Sequence, residues 1–194
     1  MRITTGTARG VRLDAPEGLH TRPTSERAKQ AIFNILQFFV RDSAVLELFG
    51  GTGQLSLEAL SRGADSAVIC DNDKAACETI KKNALRTRLS EKLTLLECEY
   101  RTAIKKLAGR RFDIVFLDPP YDSDLLTTSL FRLNAAGLIS PGGFVVCESG
   151  SDLIPSGEGL TVYRTGKYGV AYITVLRKEG GDNQDDKSAD NRIV

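Results

Sequence analysis

Five short apolar runs recur along the chain with helix-type segments between them, and that alternation limits the fold more than any other feature. The runs are Ala44 to Phe49, Ser66 to Asp71, Leu93 to Glu99, Phe112 to Leu117 and Gly143 to Glu148. Each has the length and the β-branched content of a buried strand. Between them, residues 54–61, 74–88, about 101–108 and 125–135 carry helical patterning. Strands that alternate with helices predict a mostly parallel, doubly wound, Rossmann-like α/β sheet. Leu160 to Tyr163 and Ala171 to Leu176 are expected to close it as a pair across a turn at 166–169.

The ends divide from this core by composition. Residues 2–14 alternate loosely around Gly6 and Gly10, which suggests a short hairpin, and residues 14–24 are turn-rich. Residues 1–23 are therefore read as a basic extension and 24–178 as the α/β domain. Thr24 is placed to cap a helix whose apolar stripe runs from Ala28 through Ile32 and Ile35 to Phe39. Residues 179–194 hold five acids and two bases, and are read as a disordered acidic tail. The net charge of +1 thus conceals +4 on the rest of the chain. Arg2, Arg9, Arg12, Arg22 and Arg27 gather near the start, with Lys29, a distribution suited to a polyanion. No apolar run approaches the ~20 residues that span a bilayer, and the amino terminus lacks a signal-peptide core, so a cytoplasmic address is expected. Cys70, Cys77, Cys98 and Cys147 are widely spaced beside a single histidine, His20, a pattern that favours buried thiols over zinc or disulfides.

Two segments carry chemistry. Asp118-Pro119-Pro120-Tyr121 follows the fourth strand, and proline cannot continue a hydrogen-bonded ladder. Asp118 and Tyr121 are therefore presented at the sheet's carboxyl edge, where open α/β sheets bind ligands. The chemistry that needs this set is methylation of an exocyclic amine on a flat base. Such a nitrogen is a poor nucleophile because its lone pair is delocalised into the ring. Hydrogen bonds to the Asp118 carboxylate and the Pro119 carbonyl would draw it toward a tetrahedral shape. The prolines would hold that carbonyl rigid, and Tyr121 would stack on the flipped base. The plainer alternative is a strand that ends in an ordinary proline turn with a surface Tyr.

The second segment is Gly50-Gly51-Thr52-Gly53 after the first strand, with Asp71 about 20 residues later to take a ribose diol. NAD enzymes share this device. Ser56 stands where their third glycine would be, and Glu47 inside the strand would repel a pyrophosphate. That carboxylate could instead orient the ammonium of a methionine moiety, which favours S-adenosylmethionine. Glu47, Gly51, Gly53 and Asp71 are thus the candidate cofactor residues of this segment. Asp113 and Asp118 are an odd number of residues apart and point to opposite faces of a strand, so no metal site is expected.

Taken together, the chain up to about Lys178 resembles the RsmD family of small-subunit (16S) ribosomal RNA guanine-N2 methyltransferases. The resemblance rests on Arg2-Ile3, Gly10, Arg22 to Arg27, Phe33 to Leu36, Leu48 to Gly53, Glu58 to Ala64, Asn83 and Asp118 to Tyr121. It implies a class I methyltransferase fold, a seven-stranded sheet with its last strand antiparallel. It also implies that Glu47, Gly51 and Gly53 hold the methionine end of S-adenosylmethionine, Asp71 the ribose, and Glu99 with the Tyr100 backbone the adenine, with Phe49 and Asn72 completing the candidate cofactor set and Arg2, Arg9, Arg12, Arg22, Thr24 and Arg27 as candidate RNA contacts. The substrate it implies is one guanine of 16S rRNA on an assembled or assembling small subunit, and a monomeric enzyme is expected. Gly50 stands where the family usually has Ala, Ser56 where it often has Gly, Asp71 for Glu, and Glu99 for Asp. An adenine-N6 DNA methyltransferase shares the Asp-Pro-Pro-Tyr motif but generally adds a target-recognition domain, for which this chain has no room. A non-catalytic RNA-binding or assembly factor and an NAD-linked oxidoreductase are the remaining alternatives.

Overall fold

A computed structural model describes residues 1–15, 26–121, 124–152 and 155–180. Its elements run α1 (Glu26–Ile35), β1 (Ala44–Leu48), α2 (Gln54–Ser61), β2 (Ser66–Asp71), α3 (Lys74–Thr87), β3 (Leu93–Glu97), α4 (Tyr100–Lys106), β4 (Phe112–Leu117), α5 (Leu125–Ala135), β5 (Ile139–Ser149), β6 (Leu160–Tyr168) and β7 (Ala171–Lys178). One seven-stranded sheet has the order β3-β2-β1-β4-β5-β7-β6. β1 to β5 are parallel, while β7 lies antiparallel between β5 and β6. This is the doubly wound sheet read from the sequence.

The strands alternate their side chains between two cores, as a period of two requires. On β4, Ile114 and Phe116 join a cluster with Ile32, Phe33 and Leu57, whereas Val115 and Leu117 join one with Ile104, Leu130 and Leu133. β4 is buried on both faces, which explains its unbroken apolar sequence. The amino-terminal arm is part of the first cluster, through Ile3, Ala8 and Leu13.

Several boundaries differ from the sequence reading. Among the described residues, the arm pairs through one antiparallel bridge, Arg2 to Arg12, rather than through two strands. α1 ends at Ile35, and Phe39 follows in a turn, its ring 4.5 Å from that of Phe144. β5 begins at Ile139, ahead of the expected strand Gly143 to Glu148, and is bulged between the register pairs Phe112↔Ile139 and Ile114↔Phe144. The hairpin turn is tighter than 166–169, because Tyr168 already pairs with Ala171. Arg22, Thr24 and all but the first two residues of the acidic tail lie outside the described residues. Among the described residues, no helix is long and apolar enough to cross a membrane, and no cluster of His, Cys, Asp or Glu could hold a metal ion.

Candidate active site

The chain passes from β1 outward to β2 and β3, then crosses back to β4 and β5. The carboxyl ends of β1 and β4 therefore flank the point where strand order reverses, the crevice in which open α/β sheets take ligands. Both chemical segments arrive there. Gly51 and Gly53 have φ of 55° and 72°, the left-handed region that glycine enters without penalty. Gly53 N–H donates to the Gly50 carbonyl at 2.7 Å and closes the turn. Asp71 accepts Gly51 N–H on Oδ2 and Asp73 N–H on Oδ1, each at 2.8 Å, so it fastens the loop to the start of α3. Phe49 also has a positive φ, 66°, which for a bulky side chain stores about 1–3 kcal/mol of strain. Its ring packs 5.4 Å from that of Tyr100.

Glu47 is 3% exposed, and its Oε2 accepts the N–H of Ser56 in the first turn of α2 at 2.9 Å. Burial pushes its carboxyl up to about 7, with the charge of Asp71 adding, although the bonds from Ser56 work against the rise. Glu99 is exposed directly before α4, and Tyr100 is buried beneath Arg101, whose Nε donates to the phenol oxygen at 3.2 Å.

Asp118 is half-buried, Pro119 is buried, and Tyr121 stands 41% exposed. The Tyr121 hydroxyl donates to Oε1 of Glu148 at 2.6 Å, and Glu148 is itself 4% exposed at the carboxyl end of β5. A methyl on Gly150 would come 2.8 Å from the Tyr121 ring, so backbone lies directly against that ring. The sequence reading does not single out Glu148 or Gly150. An acid ending an apolar strand, like Asp118 after β4, is the available signal. Asp113, in contrast, accepts Ala44 N–H at 2.9 Å at the opposite edge of the sheet.

One cleft of about 970 Å³ is lined by Glu47, Phe49, Gly51, Asp71, Asn72, Glu99, Tyr100 and all four residues from Asp118 to Tyr121. That volume is in the range of small-molecule sites, roughly 300–1,000 Å³. A Cβ on Gly51 would meet no atom within 4 Å, so the loop's backbone is open to a ligand. Gly53 is the predicted residue that supports the loop from behind: its Cβ would face Ile69 at 3.2 Å. Arg2, Arg9, Arg12 and Arg27 are exposed outside the cleft. Lys29, counted with them from the sequence, is wholly buried and belongs to no basic surface.

Residues 1–177 match the family described as conserved hypothetical protein 95. The chain is 30% identical over 190 residues to ribosomal RNA small subunit methyltransferase D of Escherichia coli K12, covering 96% of this chain and 94% of that one. The chain belongs to the RsmD family. It is also 32% identical to YlbH of Bacillus subtilis over 184 residues, covering 93% of this chain and all of the relative. The solved structure of a hypothetical protein from Thermus thermophilus superposes with a TM-score of 0.79 at 31% identity, over 92% of this chain and 99% of that one. An RNA methyltransferase from Salinibacter ruber, solved with S-adenosylhomocysteine, has the same fold at a TM-score of 0.61 and 16% identity, over 84% of this chain and 98% of that one. S-adenosylmethionine is the cofactor of this RsmD-family fold, and the open glycine loop facing Glu47 and Asp71 suits it. Glycine at position 50 has a local explanation. A methyl on Gly50 would stand 2.3 Å from Cγ2 of Ile69, so this chain fills that space from β2 instead.

Proposed function

We propose that this RsmD-family chain methylates the exocyclic N2 of a guanine in 16S rRNA, presented on the small ribosomal subunit. One observation carries this reading: the Asp118-to-Tyr121 segment and the Gly51–Gly53 loop share one cleft at the topological switch point. Asp118 and the Pro119 carbonyl accept the amine's hydrogens and turn its lone pair outward. Glu47, Gly51 and Asp71 would hold S-adenosylmethionine, which would supply a methyl group on a cationic sulfur and leave as S-adenosylhomocysteine. The surplus proton passes to Asp118 or to water. Tyr121, tethered to Glu148, offers a fixed ring against which the flipped base stacks. Arg2, Arg9, Arg12 and Arg27 grip phosphates outside the cleft.

The test is methyl transfer from labelled S-adenosylmethionine to small subunits from a strain lacking this gene, beside free rRNA and DNA. Nuclease digestion and mass analysis identify the modified base. N2-methylguanine in subunit rRNA is expected, and label in the adenine of DNA would overturn the reading.

Tyr121→Ala should lower kcat/KM for the subunit by roughly 10–100-fold, since a base–aromatic stack contributes about 1–3 kcal/mol. Tyr121→Phe keeps the stacking face and releases only the Glu148 bond, so its loss should be several-fold smaller. Steady-state kinetics on both variants, with melting curves as a folding control, separates stacking from tethering.

Glu47 gives a pH prediction. Its folded value of about 7 lies above the ordinary 4.5, so its contribution to stability is fully present below 4.5 and is lost as pH rises toward 7 and beyond. An ammonium beside it favours the carboxylate, so cofactor binding should release a proton and tighten as pH rises through about 7. Calorimetry with S-adenosylhomocysteine in buffers of different ionisation enthalpy measures that release. In Glu47→Gln the dependence should flatten.

A further inference from the structure

The cofactor loop has a second anchor that the chemistry above does not use. Asn83 is wholly buried on α3. Its Oδ1 accepts Asp14 N–H at 2.8 Å, and its Nδ2 donates to the Asp14 carbonyl at 3.1 Å and to the Thr52 carbonyl at 3.0 Å. One amide group thus grips both backbone groups of Asp14 and the middle peptide of the glycine loop. A further bond repeats the connection, since Thr52 Oγ1 lies 3.7 Å from Met1 Sδ. From outside, Arg86 holds the same arm residue, with Nη1 and Nη2 on the Asp14 carboxylate at 2.6 and 2.7 Å and Nη1 also on the Arg12 carbonyl at 3.3 Å.

We propose that Asn83 is a positioning residue that couples the amino-terminal arm to the cofactor loop, so that RNA held by the arm and cofactor held by the loop strengthen one another. The RNA half rests on the functional reading above, while the arm-to-loop half does not. The physical basis is direct. Gly51 and Gly53 leave the loop's backbone free to move, and it is fixed at Gly51 N–H by Asp71 and at the Thr52 carbonyl by Asn83. An arm that loosens takes its two bonds from the Asn83 amide and its Met1 contact from Thr52, so the hold on the Thr52 peptide slackens. A ligand that orders the loop must, by the same linkage, tighten the arm.

Amide hydrogen exchange over residues 11–15, with and without saturating S-adenosylhomocysteine, tests the arm-to-loop half. The ligand should slow exchange about fivefold or more in the unmodified protein, and less than about twofold in Asn83→Ala. Arg86→Ala, which changes an exposed side chain and leaves the core intact, should give an intermediate value even where Asn83→Ala folds poorly. No slowing in the unmodified protein, or equal slowing in the unmodified protein and Arg86→Ala, would overturn the coupling. For the RNA half, subunits should tighten S-adenosylhomocysteine binding by the same factor as the ligand tightens subunit binding, and Arg86→Ala should reduce both. Subunit affinity unchanged when Arg2, Arg9 and Arg12 become Ala would overturn the RNA half and the arm's role in the functional reading, leaving the exchange result to stand alone.

Discussion

Replacing Asp118 with alanine is expected to lower kcat for methyl transfer by roughly 10²–10⁴ while changing the Kd for S-adenosylhomocysteine only a few-fold. On the proposed reading the amine's lone pair is the nucleophile, and the enzyme's task is to withdraw it from the ring. Asp118 follows β4 directly and is half-buried in the cleft, so its carboxylate would meet the amine at the cleft wall. Pro119, buried and unable to shift, would retain its carbonyl in the variant and leave a residual rate. Asp118→Asn keeps an acceptor oxygen but no charge, and should fall between the two. Single-turnover transfer to small subunits, with calorimetry for the ligand, separates chemistry from binding. A kcat within about tenfold of the unmodified enzyme would remove Asp118 from the activation of the amine.

The largest effect on stability is expected at Glu58, far from the cleft's chemistry. Its side chain and that of Lys29 are both wholly buried, 3.4 Å apart. Glu58 also accepts from Thr4 N–H, Thr4 Oγ1, Thr5 N–H and Arg62 Nε, at 2.6 to 3.1 Å. Burial alone would raise its carboxyl, but the bonds from Thr4 and Arg62 and the Lys29 charge outweigh it and hold it below the ordinary range. Burial pushes Lys29 down as well, more than the attraction of Glu58 restores. Glu58→Ala therefore strands a buried cation and the arm's donors together, and should cost about 3–5 kcal/mol, or roughly 10 °C in Tm. Lys29→Met should cost less, since Glu58 keeps its bonds from Thr4, Thr5 and Arg62. Because the folded-state value of Glu58 is depressed, its contribution is present above about pH 4.5 and disappears as pH falls through that folded value. Thermal unfolding of both variants between about pH 3 and 7 measures the ranking and the slope. Equal losses would mean that the ion pair, rather than the arm's hydrogen bonds, dominates.

The sheet and the cleft are legible in the sequence because their signals are local. A buried strand stopped by Asp118-Pro119-Pro120, and another stopped by Gly50-Gly51, each name their own carboxyl end. What the sequence conceals depends on partners far along the chain. Glu58, Ser61 and Arg62 read as ordinary helix content. Ser61 Oγ in fact accepts Ala8 N–H and donates to the Thr5 carbonyl, and a Cβ on Gly6 would stand 1.7 Å from the Ser61 carbonyl oxygen. The motif from Glu58 to Gly63 is thus the socket into which the arm is set. Glu148 escapes notice for the same reason, because its meaning lies in Tyr121, which belongs to another strand's end. Pro141 and Gly142 hide the start of β5, because a bulge inside a strand uses the same residues as a free turn. Gly166 misleads in the same way, standing inside the edge strand β6.

The position of β7 sets an order for synthesis. It is the last strand of the described chain, yet it lies inside the sheet, hydrogen-bonded to β5 on one side and β6 on the other. While a nascent chain emerges at ~5–20 residues per second, β1 to β5 can pair, but β6 has no place in the sheet until β7 follows it. For that interval β5 offers an open, apolar edge to any neighbouring chain. The two-residue turn at Gly169 and Val170 shortens the exposure, since β7 can zip against β6 as soon as it is made and both can dock together. Lengthening that turn would prolong the exposure and lower the yield of soluble protein.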